Sequence, residues 1–258
     1  MESQPDDLLG HAPLRGISEA GYYQSNYRAL SVKGVARMRG WLRLPLAYLI
    51  TRFKAPTPAG WMPQLWADLE CTEPELSPQC LVATVRHRET LRRLGFSEVG
   101  FKKLNRILNP LHRDDGGINF LDASRRHYGQ LIYNRSHVPP PVNAVRERVV
   151  IAFTAVFKDE IFSYANNSNT PFDAVPRQKV VRISSNDAAQ IYQRFVDDLK
   201  RRNEEPLHFS DLESLRNWFD SNAIEVFNHR VRKRLFIRMS DKEVAIARQK
   251  LPPPVAKA

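Results

Sequence analysis

The chain has 258 residues, 42% of them apolar and 10% aromatic, which excludes a disordered polymer and leaves material for one domain with its own core. Lys and Arg total 39 against 28 Asp and Glu, a formal net charge of +11 that favours polyanionic company such as nucleic acid, anionic lipid headgroups or an acidic protein. Two cysteines exclude the disulfide framework of small secreted domains, and no apolar run reaches the roughly 20 residues that a helix needs to span a bilayer.

Residues 1–27, opening MESQPDDLLGHAPLRG, lack periodicity and the basic start and apolar run of a signal peptide, and read as a flexible tail. From Arg28 the character changes. No acidic residue stands between Glu19 and Asp68, while Arg28, Lys33, Arg37, Arg39, Arg43, Arg52 and Lys54 supply positive charge. Val35, Met38, Leu42, Leu46, Leu49 and Phe53 recur at spacings of three and four, one apolar stripe on a helix that Pro45 breaks or restarts. With the linker KAPTPAGWMP this makes a basic amphipathic arm over residues 28–59.

A single α+β domain is expected over residues 60–250. It opens with ECTEPELSPQC, whose Cys71 and Cys80 read as two reduced thiols of a cytoplasmic protein; no second His or Cys pair completes a zinc site, so no metal is assigned. CLVATV reads as a short strand and HRETLRRLG as a helix that Gly95 ends. FSEVGFKKLN, INFLD, YGQLIYN and RVVIAFTAVF read as strands, mainly antiparallel. In the last, Val149, Ile151, Phe153 and Phe157 face one way and Val150, Ala152 and Val156 the other, the mark of a central strand covered on both sides. KDE turns the chain into IFSYAN, NNSNTP is a loop and KVVRIS is a further strand.

The C-terminal third reads as helical. Asn186 is placed as the cap of a helix with Ile191, Phe195 and Leu199 on one face. Ser210 with Glu213 and Ser240 with Glu243 fit the capping box. Phe227, Val231 and Leu235 form a stripe beside the basic run HRVRKR. LPPPVAKA, residues 251–258, is an extended tail.

HRDDGGIN, residues 112–119, fits the H-R-D-x-x-x-x-N spacing and resembles the catalytic loop of protein kinases, which implies a base at Asp114 and a magnesium ligand at Asn119. The accompanying Gly-rich loop, upstream lysine and D-F-G are absent from the sequence, so Asp114, Asp115, Gly116 and Gly117 read as a polar turn between strands. A metal-dependent enzyme built on His112 and Asp114, with Asp115, is the weakest functional alternative. His127 and His137 have no nucleophile motif beside them, and the sequons at Asn134 and Asn166 read as ordinary loop asparagines.

The main functional expectation is a non-catalytic binding module. It docks on an anionic surface, the inner face of a membrane above all, through Lys33, Arg37, Arg39, Trp41, Arg43, Arg52 and Lys54. An acidic protein is a second partner of matching charge. The alternative is a sequence-nonspecific nucleic-acid contact by Arg230, Arg232, Lys233, Arg234 and Arg238. No cofactor is implied.

Overall fold

In the computed structural model the described residues are 22–39, 44–53, 60–61, 65–103, 112–138, 144–166, 175–202 and 204–249, with side chains at all of these except 37–39, 44, 60–61, 112–114 and 137–138. Along the chain come strand β1 (Tyr23–Ser25), helices α1 (Val32–Arg39) and α2 (Leu44–Phe53), then β2 (Gly60–Trp61), the short helix α3 (Trp66–Leu69) and β3 (Glu70–Cys71). Helix α4 (Pro78–Arg93) leads into β4 (Phe96–Lys103), β5 (His112–Asp122), β6 (His127–Val138), β7 (Ala144–Val156), β8 (Ile161–Asn166) and β9 (Gln178–Ile183). Helices α5 (Ala188–Leu199) and α6 (Leu212–Arg232), strand β10 (Phe236–Arg238) and helix α7 (Asp241–Gln249) complete it.

Strands β3 to β9 form one sheet in sequence order, antiparallel throughout except for the parallel pair β8 and β9. This is the α+β architecture expected from strands followed by helices. Its centre is the in-register pairing of β6 with β7, from His127 opposite Ala155 to Val138 opposite Ala144. The alternation read along β7 is realised. Ile151, Phe153 and Phe157 enter the main core beneath α4 and α5, whereas Val156 enters a second cluster with Trp66, Phe209 and Leu215 beneath α3 and α6. Helices thus cover both faces of the sheet, and each face buries its own apolar set.

Several local expectations are corrected. CLVATV is helix, not strand: Ser77 accepts from the Cys80 amide as the cap, Pro78 sits at the first position, and Cys80, Thr84, Arg88 and Leu91 turn one buried face inward. It joins HRETLRR in a single helix, and Gly95 takes the left-handed φ of +86° that ends it. Asp114 to Gly117 is not a turn but the middle of β5, with Asp115 opposite Asn134 and Gly116 opposite Tyr133. A Cβ on Gly116 would stand 2.7 Å from the Cys80 sulfur, so glycine is there to let α4 press onto the strand. The true β5–β6 turn lies at residues 123–126, where Asp122 accepts from the Arg126 and His127 amides.

Two caps shift by one residue. Asp187, not Asn186, caps α5, and Asp211 with Ser214, not Ser210 with Glu213, closes the box before α6. Asn166 and Asn134 are buried strand residues rather than loop asparagines; Asn166 accepts from the Ile151 amide and donates to Asn186. The Ser240–Glu243 box forms as expected, each side chain holding the other's backbone N–H. The rest of the expected NNSNTP loop after Asn166, and the expected tail 251–258, lie outside the described residues.

A second, smaller sheet has three strands. Its order is β10-β1-β2, with Tyr23 opposite both Arg238 and Trp61. Tyr23–Ser25, expected in the loose tail, therefore pair with a strand from far along the chain. Leu30, Val35, Ala47, Phe227, Leu235 and Phe236 share one cluster there, which uses the expected Phe227–Val231–Leu235 stripe.

Candidate functional site

Pro45 restarts the helix, as expected: α2 begins at Leu44 with the proline in its first turn, where its missing N–H is not needed. The restart changes the phase. The single stripe drawn from Val35 to Phe53 is instead divided between two helices that face it differently. Val35 on α1 is buried, while on α2 the inward positions are Ala47 and Thr51, with Thr51 Oγ1 donating to the Ala47 carbonyl at 2.6 Å. Leu46, Leu49, Ile50 and Phe53 point out, with 65%, 57%, 55% and 76% of their surface exposed. These four follow the i, i+3, i+4, i+7 pattern, so they form one continuous apolar ridge.

Such a ridge is costly in water. Burying a side chain of this size is worth roughly 1.5–3 kcal/mol, and four of them leave that gain untaken. A contiguous exposed apolar patch on a folded protein marks an interaction surface.

The flanks are basic. Arg52 stacks on the Tyr48 ring at 4.6 Å and also donates to the Tyr48 hydroxyl and to the Arg28 carbonyl, which ties α2 back onto the turn before α1. Lys33 and Arg28 are exposed. Arg37 and Arg39 lie on α1, but their side chains, like Trp41, Arg43 and Lys54, fall outside the described residues.

The two basic segments read separately in the sequence are brought together. Asn26 donates its side-chain amide to the Arg234 carbonyl at 2.9 Å, and its backbone N–H meets the Leu235 carbonyl at 2.8 Å. Arg52, Arg28, Asn26 and Arg234 thus form one connected path from α2 to the end of α6. Arg232, Lys233, Arg234 and Arg238 are exposed there. Arg230 is the exception to the expected outer face. It is half-buried over the Phe236 ring at 5.4 Å, and burial lowers its pKa to about 10, so it stays charged at neutral pH. Burial, then the charges of Lys233, Arg232 and Arg230, hold the His229 imidazole below the usual histidine range, a sign of concentrated positive potential.

The remaining candidates carry structure. Asn119, the magnesium position of the kinase-like spacing, is fully buried and accepts from Tyr128 and Gln130. His127 Nδ1 meets Asp122 at 3.2 Å and Tyr192 at 3.0 Å, a hydrogen-bonded anchor for the β5–β6 turn. The side chains of His112, Asp114 and His137 lie outside the described residues. Among the described residues no three His, Cys, Asp or Glu side chains converge, and no helix is long and apolar enough to cross a membrane. Cys71 and Cys80 are free thiols, and burial with Glu75 beside it pushes the Cys71 thiol up.

Sequence reading found Leu46, Leu49 and Phe53 but omitted Ile50, whose place on the ridge follows from the same spacing. It also omitted Asn26, for which no local signal exists. Compared with protein-family models, curated proteins and solved structures, the chain matches none.

Proposed function

We propose that this protein is a non-catalytic, peripheral membrane module that docks on an anionic lipid surface through α2. The observation that carries the reading is the ridge of Leu46, Leu49, Ile50 and Phe53, exposed on a helix whose opposite side is anchored by Ala47 and Thr51. The occupant follows from charge. The ridge sits in a stretch with no acidic residue between Glu19 and Asp68, and Arg28, Lys33, Arg52, Arg232, Lys233 and Arg234 are exposed on the same unit.

A helix of 10 residues is about 15 Å long. That is too short to cross a bilayer but suits an orientation in the headgroup plane, with the ridge about 5–10 Å deep. Each lysine or arginine near an anionic leaflet adds about 1 kcal/mol of attraction. The cytoplasmic leaflet is the natural partner, because it carries the anionic lipid and because free thiols suit that compartment.

Vesicle co-sedimentation of the full chain tests this. Binding is expected to phosphatidylserine-containing vesicles and not to neutral ones, with loss in high salt and loss on Leu49→Asp or Phe53→Asp, whose exposed positions leave the fold intact. Equal binding to both vesicle types, or to neither, overturns it. Salt-sensitive binding to DNA or RNA that survives Phe53→Asp and is lost on reversing Arg232 and Lys233 favours the nucleic-acid alternative instead.

A further inference from the structure

Helix α4 divides its arginines. Arg88 and Arg92 are consumed by acids: Arg88 grips Glu98 through two bonds and Glu73 through a third, and Arg92 reaches Glu98 at 2.8 Å. Arg86 and Arg93 are exposed and form no ion pair among the described residues. Together with His87 and Thr90 they line a cleft of about 450 Å³ whose other wall is the segment from Ser185 into the start of α5. Positions 86, 90 and 93 follow the i, i+4, i+7 spacing, so this is one face of the helix aimed across the gap.

We propose that this cleft binds a small phosphoryl-bearing anion. Two guanidiniums supply the charge and the planar pairs of N–H donors that match a tetrahedral oxyanion. Thr90 fixes one of them: its hydroxyl donates to the Arg86 carbonyl and accepts from Arg93 Nη2 at 3.2 Å. Ser185 Oγ accepts from the Asp187 amide, which leaves its O–H hydrogen to donate.

The one carboxylate in the cleft, Asp187, is spent as the α5 cap, accepting from the Ala189 and Gln190 amides. The helix terminus is therefore already closed, and the ligand is held by α4 side chains rather than by free amides. The volume exceeds that of a bare phosphate and falls within the range of small-metabolite sites. His87 is half-buried in the same wall. Burial, then the Arg86 charge, holds its imidazole below the usual histidine range, with Asp187 pulling the other way. A bound dianion pulls in the same direction as Asp187 and raises it.

Inorganic phosphate titrated into the full chain, followed by calorimetry and by the His87 ring resonances, tests the site. Expected are saturable binding, a rise in the His87 pKa when phosphate is present, and at least about tenfold weaker binding in Arg86→Ser and Arg93→Ser. Lys158→Ser, exposed and outside both the cleft and the proposed membrane surface, should bind phosphate unchanged. Absence of saturable binding overturns the proposal. So does binding that falls equally in Lys158→Ser, which marks general attraction to a basic protein. Vesicle docking through α2 is independent of either outcome.

Discussion

The Lys102 side-chain nitrogen lies 3.7 Å from the centre of the Trp66 ring, fully buried, with the Phe219 ring 3.1 Å away on the α6 side. Nothing among the described residues hydrogen-bonds to it. The two rings offer their negative faces, but burial dominates and lowers the pKa to about 6, against the pull of Asp220 and Glu70 and in the same direction as Arg216.

A stability profile follows. Unfolded, the amine keeps its proton up to the ordinary lysine range; folded, it releases it near pH 6. The unfolded chain binds more protons between those limits, so this group makes stability rise with pH across them, by up to about 1.4 kcal/mol per pH unit. Lys102→Met keeps the stem between the rings and removes the titration. Urea unfolding at about pH 6 and about pH 9 should show the difference between variant and parent shrinking as pH rises. Parallel profiles would falsify the assignment.

Asp122 gives the opposite sign. Burial alone would raise its carboxyl, but hydrogen bonds from His127, Ser124 and the His127 amide outweigh it and hold the pKa at about 2. Its contribution is present above the unfolded carboxylate range and is lost as pH falls from there towards 2. It is worth about 2 kcal/mol. Asp122→Asn should cost that much at neutral pH and progressively less in acid. An unchanged loss at about pH 3 would point to turn geometry instead of charge.

The Arg88 cluster is sensitive to removal of one member. Arg88 is 9% exposed and its partner Glu98 is 15% exposed at the side chain. Arg88→Ala leaves the Glu98 carboxylate with Arg92 alone and frees Glu73, and should cost about 1–3 kcal/mol. Arg88→Lys should recover only part of this, because lysine lacks the fork that makes the paired bonds to Glu98. Thermal melts of the two variants, read against Glu98→Gln, separate charge from packing.

Gly116→Ala forces a methyl group against the Cys80 sulfur and Leu76, whose Cδ2 would lie 3.2 Å away. The expected loss is about 1–3 kcal/mol. Adding Cys80→Ala should recover stability, since the smaller side chain vacates the collision. Losses that simply add in the double variant would show that the strand, not the helix contact, demands glycine.

Strands β7 and β8 were legible because the apolar residues repeat along them and KDE supplies the only turn chemistry between them. CLVATV was not, since six mostly apolar residues satisfy both periods; Ser77, Pro78 and the distant Leu91 decide it. The DDGG segment carries turn chemistry, yet α4 needs glycine beneath Cys80, so tertiary packing overrides the local signal. The ridge on α2 was visible as a spacing. Which side of the helix faces inward was not, because the anchoring residues Ala47 and Thr51 are small and ordinary, and the value of Ala47 comes from the cluster it shares with Phe227, Leu235 and Phe236.

The pairing of β1 with β10 has a bearing on synthesis. Tyr23 leaves the ribosome long before Arg238, its partner in the ladder, exists. Until then the hydrophobic residues around Leu30 and Val35 have nothing to close against, and the greasy edge of α2 is unsupported. The lipid-facing unit proposed for this protein is thus assembled only after β10 has been translated, and deleting either β1 or β10 should disable it equally.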